Sequence, residues 1–113
     1  MIQPRARARH KPGVMNKTEA AYSAHLAGRC LAGEITEARF EPMRLRLGGD
    51  WKTTYTPDFQ VILPSGLIEF HEVKGFMRDD AAVKLKVAAA QFPEYRFVLV
   101  KRAGRAWESK EVS

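Results

Sequence analysis

Cysteine is almost absent from this chain. Cys30 is the only one, so no intrachain disulfide can form, and that fits a reducing compartment. The three histidines and the single thiol offer no spacing that would hold zinc. No apolar run is long enough to cross a bilayer, and no apolar stretch of the signal-peptide kind appears, so the expectation is a cytoplasmic protein. Acidic residues are missing from the first fourteen positions, where Arg5, Arg7, Arg9 and Lys11 stand. There is no internal repeat beyond that Arg-Ala run. The 113 residues suit one domain with a modest core. What the chain does have is positive charge. A net +6 and a pI near 9.8 favour a polyanionic partner, with a solubilising surface as the plainer reading.

Residues 1–15 show no helical or strand-like apolar face and read as a flexible basic arm. Such an arm either binds phosphates through counterion release or is simply a solvated terminus; both readings stand. Residues 16–113 form the domain. Asn16 suits a helix N-cap, with Glu19 three residues on, and the helix is expected from Lys17 to Ala32 with Gly33 as its stop. Tyr22, Leu26 and Cys30 recur at helical spacing as its buried stripe. Glu19 lies one turn earlier on that stripe. It is either the second half of a capping box or a third carboxylate at the edge of a functional site.

After a loop over 34–38, Arg39 to Glu41 begins a strand that Pro42 interrupts. Met43, Leu45 and Leu47 then alternate with Arg44 and Arg46, giving a half-buried strand with one basic face. Glu41 is a weak further candidate for the site. Gly48-Gly49-Asp50 is a turn, and Trp51 to Leu63 reads as the second strand. A third strand covers Leu67 to Lys74. Asp79 or Asp80 caps a second helix, which ends near Phe92-Pro93 and packs through Ala81, Leu85, Ala88 and Phe92. Tyr95 to Val100 is a buried strand, parallel to a neighbour because a helix precedes it, and Lys101 and Arg102 end it. The tail from Ala103 mixes signs around Trp107, which packs on the domain or on a partner. The expected order is αβββαβ, an α/β fold with a mixed central sheet flanked by helices.

The chemistry gathers in one predicted hairpin. Pro64-Ser65-Gly66 is its turn. If Leu63 pairs with Leu67, Asp58 falls opposite Glu72, and Glu72 shares a face with Lys74 because side chains alternate. Like charges opposite each other are destabilising, so either one carboxyl keeps a proton or a cation sits between them. Converging carboxylates with room for water suit Mg²⁺, and a lysine beside the metal can orient a water or stabilise a developing oxyanion. The implied reaction class is metal-assisted phosphodiester hydrolysis. The plainer readings are an exposed strand aspartate at Asp58 and an ordinary surface pair between Glu72 and Lys74. Pro57 lacks an amide proton and suggests a bend that frees Asp58. Glu69 and His71 point to the other face, where His71 suits a supporting hydrogen bond. His25 is read as a surface or half-buried helix residue.

Pro57-Asp58 followed by Glu72-Val73-Lys74 resembles the PD-(D/E)XK nuclease signature. The wider run, Asn16-Lys17-Thr18-Glu19, then Tyr55-Thr56-Pro57-Asp58-Phe59, then Phe70-His71-Glu72-Val73-Lys74-Gly75, is similar to small phage endonucleases of the endonuclease I type, which are Holliday-junction resolvases. The resemblance implies a restriction-endonuclease-like core and a Mg²⁺-dependent DNA endonuclease of phage or prophage origin, with Mn²⁺ able to substitute. Asp58 and Glu72 would bind metal, Glu19 would complete the site, and Lys74 would activate or steer the nucleophile. It also implies branched DNA as substrate and a homodimer. Lys17, Lys84, Lys86, Lys101 and Arg102 join the basic arm as candidate DNA contacts, with solvated surface charge as the alternative at each. Other classes remain open: a nicking, mismatch or flap nuclease on the same core, a non-catalytic DNA-binding module, or a structural protein with chance motif matches.

Overall fold

The computed structural model describes residues 13–49, 52–74 and 79–113, with only the backbone of Asp79 and Asp80. The expected arm with Arg5, Arg7, Arg9 and Lys11, the end of the turn at Asp50, and the loop 75–78 lie outside the described residues. Helix α1 spans Lys17–Leu31. Its start is a complete capping box: Glu19 N–H donates to Asn16 Oδ1 at 2.8 Å, and Asn16 N–H donates to Glu19 Oε1 at 3.0 Å. Its end is a Schellman turn. Gly33, at φ +80, donates to the Cys30 carbonyl and Glu34 donates to that of Arg29.

The main sheet has five strands: β1 (Glu37–Phe40), β4 (Phe59–Ile62), β5 (Ile68–Lys74), β6 (Arg96–Ala103) and β7 (Ala106–Val112), in the spatial order β1-β4-β5-β6-β7. Only β5 and β6 run parallel among these pairs, and helix α2 (Asp79–Gln91) makes the crossover between them. A separate ribbon pairs β2 (Leu45–Arg46) with β3 (Thr54–Tyr55).

The result is an α/β fold with a mixed central sheet and two helices, but the expected αβββαβ order is corrected. The first two predicted strands each break in two. Glu41 adopts φ +47, in the left-handed region, and Pro42 follows with no amide to continue a ladder. Pro57 does the same between β3 and β4. A further strand, β7, forms in the tail, where no element was expected. Lys101 and Arg102 therefore do not end β6, which continues to Ala103 and turns through Gly104-Arg105. Gly104 has φ +63, and Arg105 is not in the left-handed region, which fits a type II′ hairpin turn. Met43 is exposed, unlike its expected stripe partners Leu45 and Leu47, which are buried.

The sheet has an apolar layer on each face. On one, Tyr22 and Leu26 of α1 pack with Phe59, Val61, Val73 and Val98. On the other, Leu85 and Ala88 of α2 pack with Phe70, Phe97 and the ribbon residues Leu45 and Tyr55. Each large side chain so buried contributes about 1.5–3 kcal/mol. Gln91 fastens the ribbon to α2: its Oε1 accepts from Gly48 N–H at 2.6 Å and its Nε2 donates to the Arg46 carbonyl at 2.9 Å. Among the described residues no helix is long and apolar enough to cross a membrane.

Candidate active site

The β4–β5 hairpin has the register that Leu63–Leu67 pairing demands. Leu63 N–H donates to the Leu67 carbonyl at 3.0 Å, and the ladder runs from Ile62↔Ile68 to Phe59↔His71. Its turn is a three-residue loop closed by Gly66 at φ +94. Asp58 stands one residue beyond the last pair, in the bend after Pro57. It does not face Glu72 as a ladder partner. Instead its carboxylate reaches across, and Oδ2 accepts from Val73 N–H at 2.8 Å. The Asp58 carbonyl accepts from Glu41 N–H at 2.8 Å, so Glu41 approaches the site through its backbone, and its Oε1 accepts from Gly13 N–H.

Glu72 is half-buried on the α2 face of β5, where Tyr55 O–H donates to its Oε1 at 2.5 Å. Glu19 is 5% exposed and arrives from the first turn of α1. It closes the capping box, and its carboxylate also lies beside Asp58, near enough to act on it by charge and by hydrogen bonding. Glu72 from β5 and Glu19 from α1 thus each approach Asp58 at one end of the sheet. Lys74 follows Glu72 on the same face at the exposed end of β5.

Burial, then the adjacent Glu72 carboxylate, pushes the Asp58 carboxyl up to about 9, against the opposing pull of the Val73 amide; Glu19 raises it further. Tyr55 is likewise raised far above the usual phenol range, by burial first and by Glu72 next. Burial and the neighbouring carboxylates thus favour the protonated form of Asp58 over the charged one. Among the described residues no three His, Cys, Asp or Glu side chains already stand in metal-ligand geometry.

A second polar cluster lies on the α1 face. His71 Nδ1 is 2.7 Å from Tyr22 Oη, and its Nε2 is 2.9 Å from Glu69 Oε1. Arg96 donates to Glu69 Oε2 at 2.9 Å. His71 therefore has the supporting hydrogen bonds expected on that face. The His71 hydrogen bond, chiefly, holds Glu69 below the usual carboxylate range, while burial takes the Tyr22 phenol up to about 12. A cavity of about 290 Å³ opens beside this cluster, with Arg29, Trp107 and Glu111 among its walls. Trp107 packs on its own domain, its ring centroid 4.9 Å from that of Tyr22, and His25 stacks on Tyr22 from an exposed position.

Of the expected DNA contacts, Lys17 and Lys86 are exposed and Lys84 is half-buried, each on a helix. Lys101 is level with Lys74 in the parallel β5–β6 register and sits 3.9 Å from Glu108. Arg102 lies over the Trp107 ring at 4.8 Å. Sequence reasoning missed the role of Tyr55, because the bend at Pro57 removes the strand periodicity that would have aimed it at Glu72. No known protein-family profile and no curated protein matches the chain in sequence.

Proposed function

We propose that the protein is a divalent-metal-dependent DNA endonuclease with a restriction-endonuclease-like core, acting on branched duplex DNA. The observation that carries this reading is the burial of Asp58 beside Glu72 and Glu19 at the end of β5, in a chain that is otherwise strongly basic. Converging carboxylates cost stability unless a proton or a cation joins them, and an all-oxygen donor set suits Mg²⁺ or Mn²⁺. Asp58, Glu72 and Glu19 would hold the ion, which when bound would stabilise phosphoryl charge and lower the pKa of a water. The chain's own groups do the rest. The Val73 amide and the Tyr55 hydroxyl fix the angles of Asp58 and Glu72. Lys74, at the open end of the strand, steers the nucleophile and balances charge developing on the scissile phosphate. The motif resemblance supports the same assignment, and with it a homodimer that makes two cuts.

The test is incubation of the protein with a four-way junction and with matched linear duplex, each in Mg²⁺ and in EDTA, beside Glu72→Ala. Mg²⁺-dependent cutting of the junction, reduced at least about 100-fold in the variant, is the expected result. Equal cutting of linear duplex would remove the branch preference and keep the nuclease. Tight binding in EDTA with no cutting in Mg²⁺ would replace the nuclease with a DNA-binding module.

A further inference from the structure

We propose that the β6–β7 hairpin tip is a phosphate-gripping arm that binds the DNA backbone to one side of the scissile bond, with Arg105 as its leading contact. This rests on the DNA reading above but concerns a different element. The parallel register sets Lys101 of β6 beside Lys74, the last residue of β5. β6 then continues through Arg102 and Ala103, past the described end of β5, before Gly104-Arg105 turns the chain back into β7. The tip therefore projects from the same end of the sheet that gathers Asp58, Glu72 and Glu19. Lys101, Arg102, Gly104 and Arg105 are all exposed.

Three cations stand on this projection against one acid, Glu108. Two of them are braced. Lys101 is held near Glu108, and Arg102 is pinned over Trp107 and donates to the Gly104 carbonyl at 3.3 Å. Arg105, at the tip, has no ion pair or hydrogen bond among the described residues. An acidic site repels a polyanion, so a nucleic acid seated there needs cations on its flank, and this is where the register puts them. At about 3.3 Å per residue the tip extends roughly 10 Å beyond Lys74. That length corresponds to about three nucleotides of one strand. The occupant that fits is a run of backbone phosphates, read without base specificity.

The test measures binding of the full chain to fluorescent duplex and to a four-way junction by anisotropy in EDTA across a salt series. Arg105→Ala, Arg105→Lys and Arg39→Ala, on the far edge strand β1, are compared with the wild type. The expected result is weaker binding by Arg105→Ala, with its log–log salt slope reduced by about one, while Arg105→Lys and Arg39→Ala keep the wild-type slope. An unchanged slope in Arg105→Ala overturns the proposal, as does a chain that binds neither DNA. A reduced slope in a protein that never cleaves with Mg²⁺ upholds the arm and sinks the nuclease reading instead.

Discussion

Asp58 is where the chain's chemistry and its stability pull against each other. Its carboxyl is pushed up from the ordinary 3.8 to about 9, by burial first and by Glu72 next, because both disfavour the charge. Between those values the folded protein binds a proton that the unfolded chain has lost, so stability falls as pH rises through that window. Glu69, held below its ordinary value, acts in the opposite sense at acid pH and does so equally in any Asp58 variant. The expected outcome is that metal-free wild type loses about 5 °C or more of Tm between pH 5 and pH 8.5 relative to Asp58→Asn, whose amide oxygen still accepts from Val73. Mg²⁺ at pH 8.5 should restore the wild type and leave the variant unmoved. Parallel Tm–pH curves for the two proteins would show that Asp58 ionises without penalty.

The elements explain why that residue is held so tightly. The β2–β3 ribbon is fastened to α2 through Gln91, and it delivers the Tyr55 hydroxyl to Glu72. Tyr55→Phe keeps the packing and removes the hydrogen bond. It should lower kcat about 10-fold and raise the Mg²⁺ concentration for half-maximal rate, with little change in DNA KM. A rise in KM alone would make Tyr55 a packing residue. Much of this was legible in the chain. The helix caps at Asn16 and Gly33, the hairpin register through Pro64-Ser65-Gly66, and the parallel strand after α2 all follow local rules that tertiary context did not override. The broken strands did not follow. A proline or a left-handed residue shows where a ladder stops, but not whether the chain resumes in the same sheet. β7 was hidden for another reason: as an edge strand with mostly exposed, mixed-sign side chains, it lacks the apolar alternation by which strands are read. The Tyr22–His71–Glu69–Arg96 cluster joins three elements distant in sequence, so no spacing could announce it.

At the scale of the whole molecule, two local hairpins, β4–β5 and β6–β7, meet along the parallel β5–β6 pairing. Each hairpin closes a short loop, whereas the seam must wait for α2 to cross over, and non-local pairing of that kind is slow. The seam is therefore the expected folding bottleneck. Val100→Ala, buried on β6, should slow refolding with a φ-value above about 0.5, while Phe40→Leu on edge strand β1 should mainly hasten unfolding. Equal φ-values at the two sites would disperse the barrier over the sheet. The acids belong to the half of the chain before the seam and the basic hairpin to the half after it. A chain caught midway thus holds the acids without the basic hairpin, and the two become parts of one body only when the seam closes.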